Sequence, residues 1–274
     1  MITIKDYKKP KSIDEAYELL INNKKSVLIG GGAFLKLGSK SIRLAIDLSD
    51  SGLQFVNEYE DRIEIGAMTV FHELETNEIL KNYCNGILGK TVSDIVGIQM
   101  RNSVTVGATV YSRYGFSDLL TTLLALGADV KLYKEGVVPL NKFLLSGTKN
   151  IDILESIILK KIEKKVSFKS IRKTKSDYAI LNLAISVNNS KKNLGKKSFK
   201  VAVGARPNRA IEAVKTQAYL DENEFSNESL EVASEILSSE LEFGTNIRSS
   251  SEYRKSMSKV LFKRALLEVL SYEN

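Results

Sequence analysis

The chain has 274 residues, 43% of them apolar, and carries 40 lysines and arginines against 33 acidic residues, a net charge of +7. That length suits one large buried core or two modest ones and favours about two domains. The positive charge is scattered. Its densest cluster, NNSKKNLGKKSFK, reads as a solvated hairpin tip, which argues against a nucleic-acid partner. One cysteine, Cys84, excludes an internal disulfide framework, and one histidine, His72, leaves no set with metal-ligand spacing. The opening MITIKDYKKP lacks an apolar h-region, and no stretch reaches about 18 apolar residues in a row, so a cytoplasmic protein without a membrane span is expected.

Residues 1 to about 53 read as a βαβ unit. After the strand ITIKDY, Pro10 stops pairing, and Ser12 with Glu15 has the spacing of a capping box. The helix that follows shares Ile13, Ala16, Tyr17, Leu20 and Ile21 on one face. KSVLIG is a short buried strand that runs into Gly30-Gly31-Gly32, and RLAIDLS alternates as a further strand. From Leu53 strand and helix mix: LQFV pairs with RIEIGA, and VFHELETN and ILGKTVSDIVG are helical. Next come a strand and glycine turn over Val104 to Ala108 and an irregular loop from Val110 to Gly115. A helix capped by Ser117 or Asp118 follows, with Leu119, Leu120, Leu123, Leu124 and Leu126 on its apolar face and Gly127 at its end. A boundary falls near residue 160, beyond which strands and helices alternate.

Two stretches carry the makings of an anion site. Glycine has no Cβ and takes the left-handed angles that aim successive N–H groups at a phosphate, so Gly30 to Gly32 is either an anion nest or simply a turn. It is not G-x-G-x-x-G, because Leu35 stands at the third glycine, and it lacks the Lys-Ser/Thr of an NTPase loop. In TVGAT, the Thr105 hydroxyl and the Gly107 amide suit phosphate oxygens, and Asp118 suits either a sugar hydroxyl or a helix cap. His72 has no second titratable partner and reads as a surface or packing residue; Cys84 reads as a packed thiol. The pair Lys169 and Arg172 is either solvated or faces an anionic cofactor.

In order along the chain, PKSIDEA, GGAFL, IGAMT, IQMRNSVTVGAT, YGFSDLLTTLLALGADVKL, KTKSDYAILNLAISV, VAVGARPNRA and SSSEYRKSMSKVLFKRAL resemble the FAD-binding subunit of the molybdenum hydroxylases, the family of xanthine dehydrogenase and carbon monoxide dehydrogenase. The resemblance covers nearly the whole chain. It implies an α+β fold with a two-part FAD-binding domain over residues 1–160, divided into subdomains of about 1–53 and 54–160, and a small α+β C-terminal domain over 161–274.

It also implies FAD as cofactor, its diphosphate between two loops. One loop is Leu28, Ile29, Gly30, Gly31, Gly32, Ala33, Phe34 and Leu35; the other runs from Thr105 through Gly107 to Ala108. Asp118 would bind a cofactor hydroxyl, Lys169 and the backbone near Ile157 the flavin side, and Ile95 and Val96 would line the flavin pocket. Two places depart from the family. Ala33 and Phe34 stand where a small polar residue and an Asp or Ser are usual, and Gly107-Ala108-Thr109 replaces G-G-N. A positive φ at Ala108 would cost on the order of 1 kcal/mol. The implied partners are a molybdopterin-binding large subunit, a [2Fe–2S] small subunit, and NAD+ or another electron acceptor, with no catalytic acid, base or nucleophile in this chain. A self-contained flavoprotein reductase and a non-catalytic relative that has lost FAD are the alternatives. Gly31→Asp is expected to abolish FAD binding while leaving the fold intact.

Overall fold

A computed structural model describes residues 2–35, 38–39, 41–95, 97–189 and 197–271, and among these the chain forms three sheets. The first comprises β1 (Thr3–Lys8), β2 (Ser26–Ile29) and β3 (Ser41–Asp47), all parallel in the order β1-β3-β2, with α1 (Ile13–Asn22) as the crossover. The Ser12 Oγ accepts the Glu15 N–H at 3.2 Å and caps α1 as expected. The Glu15 carboxylate, however, accepts the Lys11 N–H at 2.8 Å, so the reciprocal half of the box is shifted by one residue. Ala16 is fully buried, while Ile21 is 42% exposed and falls off the buried face, where Leu19 packs instead.

The second sheet is antiparallel, in the order β4-β5-β8-β6-β7. Its strands are β4 (Val56–Glu58), β5 (Arg62–Gly66), β6 (Asp129–Leu132), β7 (Gly136–Pro139) and β8 (Leu154–Lys160). Between β5 and β6 lie α2 (Phe71–Thr76), α3 (Glu78–Asn82), α4 (Ile87–Val92), α5 (Ile98–Arg101), α6 (Val106–Ser112) and α7 (Asp118–Leu126), and α8 (Leu140–Ser146) follows β7. The expected strand and glycine turn over Val104 to Ala108 is corrected here. Thr105 is an N-cap whose Oγ1 accepts the Ala108 N–H at 3.2 Å, and the chain runs on as α6 through the first half of the expected irregular loop, to Ser112. Gly107 serves close approach rather than turning, since a Cβ there would stand 2.6 Å from the Ala67 Cβ.

The third sheet is an antiparallel meander in the order β12-β11-β10-β9: β9 (Lys164–Ile171), β10 (Leu181–Asn189), β11 (Lys197–Gly204) and β12 (Ile211–Glu212). The tip of the basic β10–β11 hairpin, residues 190–196, lies outside the described residues. Alternation along β10 splits its environment. Leu181, Leu183, Ile185 and Val187 face a core built with α9 (Val214–Glu222), α10 (Asn227–Glu240) and α11 (Ser251–Ser271). Asn182, Ala184 and Ser186 face the other way, where the small Ala184 lets α7 approach and Ser186 Oγ bonds the Ala125 carbonyl at 2.6 Å. The leucines expected on one face of α7 are all buried, but so are its other residues. Its threonines are satisfied inside: Thr121 Oγ1 donates to Asn182 Oδ1 at 2.8 Å, and Thr122 pairs with Thr91 at 2.9 Å.

Candidate functional site

A cavity of about 670 Å³ opens where the C-terminal end of β2, the starts of α6 and α7, and the β9–β10 connection meet. Its floor is the glycine loop. Gly31 and Gly32 have φ of +69° and +67°, the left-handed region expected from the sequence. A Cβ on Gly30 would lie 2.8 Å from Thr105 Oγ1, and one on Gly31 only 1.6 Å from the Ser103 carbonyl oxygen. The two segments singled out in the sequence are therefore pressed together. Among the described residues no protein group accepts the N–H of Gly31, Gly32 or Ala33, so three backbone donors are uncommitted. The expectation for Gly31→Asp needs correcting, because any Cβ there collides with backbone and the fold around Ser103 cannot stay intact.

Of the residues named from the sequence, Leu28, Ile29, Gly30 and Gly32 to Leu35 line the cavity from the first loop; Ile95, Thr105, Ala108 and Asp118 line it from elsewhere. Gly31 and Gly107 sit behind the lining as packing positions. Val96 lies outside the described residues. Ile157 and Lys169 do not reach the cavity. Ile157 is fully buried in the middle of β8, opposite Ile65 and Val130. Lys169 forms an ion pair with Glu268 of α11 and borders a separate polar pocket of about 300 Å³. Burial would raise the Glu268 pKa, but the hydrogen bonds from Lys169 and Ser167 outweigh it and hold it below its ordinary value.

One wall is aromatic. Phe34 lies 5.3 Å from Tyr114 and 5.6 Å from Phe116; Tyr114 stacks on Phe116 at 5.1 Å, and Tyr178 meets Phe116 at 4.5 Å between centroids. Such faces suit a planar ring. Tyr114 and Phe116 at i and i+2 in a non-helical stretch were a readable signal for a shared face, whereas Tyr178 arrives from the β9–β10 connection with no local clue. Another part of the lining is ionic. Asp118, the first residue of α7 after its N-cap Ser117, is 4% exposed; it pairs with Arg172 and accepts the Asn182 amide at 2.7 Å. Burial pushes its carboxyl above its ordinary value, opposed by the charge and hydrogen bond of Arg172 and the Asn182 amide.

His72 Nδ1 lies 3.4 Å from Glu75 Oε2, away from the cavity lining. Cys84 is a half-buried thiol whose pKa burial pushes up to about 11. No group of three or more His, Cys, Asp or Glu among the described residues could hold a metal, and no described helix is long and apolar enough to cross a membrane.

Residues 3–163 match the FAD binding domain in molybdopterin dehydrogenase, and residues 166–269 match the CO dehydrogenase flavoprotein C-terminal domain. The chain belongs to the molybdopterin dehydrogenase FAD-binding family. This FAD-binding chain is 24% identical over 278 residues to the glyceraldehyde dehydrogenase medium chain of Sulfolobus acidocaldarius, covering 96% of itself and 97% of that chain. It is 22% identical over 275 residues to the nicotine 6-hydroxylase medium subunit of Paenarthrobacter nicotinovorans, with 96% of each covered. Its fold matches a chain of the Cu,Mo-CO dehydrogenase with a TM-score of 0.88 at 22% identity, over 98% of both chains. Its two family matches together span nearly the whole chain, an FAD-binding part followed by a flavoprotein C-terminal part. Its residues fit the cofactor in spite of the two departures. Ala33 keeps its N–H free, Phe34 builds the aromatic wall, and Ala108 lies inside α6 without a positive φ, so the expected penalty does not arise.

Proposed function

We propose that this chain holds FAD in the cavity between its two apposed segments and passes electrons from the [2Fe–2S] clusters of a small partner subunit to NAD+ or another acceptor. The substrate would be hydroxylated on a molybdopterin-binding large subunit, as in xanthine dehydrogenase-like enzymes. The observation that carries this reading is the Gly30–Gly32 loop seated against Ser103 and Thr105, with Gly32 and Ala33 lining the cavity and their N–H groups uncommitted among the described residues. Backbone donors fixed in this way neutralise a diphosphate without a lysine for each charge. The Thr105 oxygen is already occupied by the Ala108 N–H, which leaves its hydroxyl proton to donate to a phosphate oxygen. Asp118, at the head of α7, would accept from a cofactor hydroxyl, and the aromatic wall of Phe34, Phe116 and Tyr178 would keep water from one face of the ring.

Bound flavin supplies the link between one-electron and two-electron transfer. The protein's own part is to bind and orient. Relatives described as a medium chain and a medium subunit support assembly with larger and smaller partners. The same reading divides the chain near residue 160, between β8 and β9, into an FAD-binding part and a C-terminal part. Purified protein should gain the visible absorbance of bound flavin on titration with FAD, and should co-purify with molybdenum- and iron-containing chains when these are co-expressed. No binding at saturating FAD would refute the reading.

A further inference from the structure

Resting on that FAD assignment, we infer that Asn182 is a positioning residue for the cofactor: without reaching the cavity itself, its side-chain amide fixes the Asp118 carboxylate as the acceptor of a cofactor hydroxyl. Asn182 lies near the start of β10, within the C-terminal family match, and is fully buried. A buried amide is costly unless both of its ends are satisfied, and here both are. Nδ2 donates to Asp118 Oδ1 at 2.7 Å, and Oδ1 accepts from Thr121 Oγ1 at 2.8 Å. Thr121 Oγ1 lies farther from the Ser117 carbonyl, 3.4 Å, so its one proton goes to the amide. A flipped amide would set oxygen against carboxylate, so the orientation is locked. Gly204 of β11 leaves room for the pair: a Cβ there would stand 2.2 Å from Thr121 Oγ1 and 2.4 Å from Asn182 Oδ1. Three elements, α7, β10 and β11, are thus shaped around one amide.

The role follows from what the carboxylate needs. Asp118 lines the cavity, and both its burial and the charge of Asp94 favour its neutral form. A neutral carboxyl carries a proton that competes for the same oxygen, so accepting from a cofactor hydroxyl requires the ionised form. Arg172 on Oδ2 and Asn182 on Oδ1 both oppose the burial. They act differently. Arg172 supplies countercharge, whereas the neutral amide adds a donor on the other oxygen, and a donor on each oxygen fixes the plane of the carboxylate while leaving acceptor capacity on both. A group that served only to join β10 to α7 would not need a carboxylate. Four residues along the same strand face such a link exists, where Ser186 Oγ bonds the Ala125 carbonyl at 2.6 Å.

The test is the FAD affinity of the apoprotein as a function of pH, read from quenching of flavin fluorescence, with thermal unfolding without FAD as the measure of fold. Asn182→Leu keeps the size of the side chain and removes the donor; near neutrality it should weaken FAD binding by about tenfold, the worth of one hydrogen bond to a charged group. Without that donor the Asp118 pKa rises further. Affinity that depends on the ionised carboxylate is lost as pH falls through this pKa, so the loss should begin at higher pH in the variant than in the wild type. Ser186→Ala removes the other buried link between β10 and α7 and should lower the melting temperature while changing FAD affinity less than about twofold. If Asn182→Leu does not fold, Thr121→Val, which frees the amide to turn, carries the same expectation with a smaller loss. Wild-type affinity in the Asn182 variant, a loss without the shift along the pH axis, or an equal loss in Ser186→Ala overturns the inference and leaves the proposed function standing. Failure of the wild-type protein to bind FAD overturns the proposed function and this inference with it.

Discussion

Gly31 and Gly32 look alike in sequence and in backbone angle, but the structure gives them different tolerances. A Cβ on Gly32 would meet only Ile29 Cγ2 at 3.7 Å, so Gly32→Ala should cost little beyond the left-handed backbone, about 1 kcal/mol. A Cβ on Gly31 would lie 1.6 Å from the Ser103 carbonyl oxygen, a contact that must open by about 1.4 Å before it is tolerable. That oxygen cannot move freely. The Ser103 and Val104 N–H groups both bond the Met100 carbonyl at 2.9 Å, and the Val104 carbonyl accepts the Phe71 N–H at 3.0 Å. Adding an overpacking term of about 1–3 kcal/mol to the same backbone strain puts Gly31→Ala at about 2–4 kcal/mol. For a chain of this size Gly32→Ala should lower the Tm of the apoprotein by about 2–4 °C, and Gly31→Ala by about three times as much. FAD titration should show Gly31→Ala without measurable binding while Gly32→Ala still binds. Equal Tm losses, or wild-type FAD affinity in Gly31→Ala, would refute the placement of the two segments against each other.

Three more outcomes are expected. Lys169→Met should remove the stability that Glu268 contributes. A lowered folded-state pKa stabilises fully above the ordinary carboxyl value and less as pH falls through the lowered one, so urea unfolding should separate variant from wild type near neutrality and bring them together in strong acid. Arg254 is 1% exposed and donates to the carbonyls of Ile180, Gly244 and Ser249 and to Asn246 Oδ1. Arg254→Met, which strands those acceptors, should cost about 3–5 kcal/mol in chemical denaturation. Phe34→Ala removes two ring contacts from the aromatic wall and should cost about 1–3 kcal/mol in the apoprotein and weaken FAD binding, as thermal unfolding and titration would report.

The first sheet and the glycine loop were legible because their signals are local: a cap, an apolar strand, and glycines at a sharp change of direction; the expected burial of that strand is not met, since Ser26–Ile29 is a half-buried edge strand whose Val27, Leu28 and Ile29 line the cavity. The segment Thr105 to Ser112 was misread because Val104, Thr105 and Val106 are β-branched and suggest a strand. The Thr105 cap and the seat of Gly107 on Ala67 override that preference and start a helix. For α7 the leucines were visible, but burial of the remaining face depends on Asn182 and Thr91, which lie far away in the chain.

The placement of Lys169 and Arg172 is the instructive case, since both were seen as candidate cationic contacts and only one reaches the cavity. Once β9 is known to be a strand, period-two alternation separates them. Phe168 and Ser170 lie opposite Ala184 and Asn182, toward α7, while Ser167 and Lys169 lie opposite Ile185 and Leu183, toward α11. Resemblance to a family carries residues over by position. The pleat decides which face each residue occupies, and here it turns Lys169 toward Glu268 and brings Arg172 to Asp118.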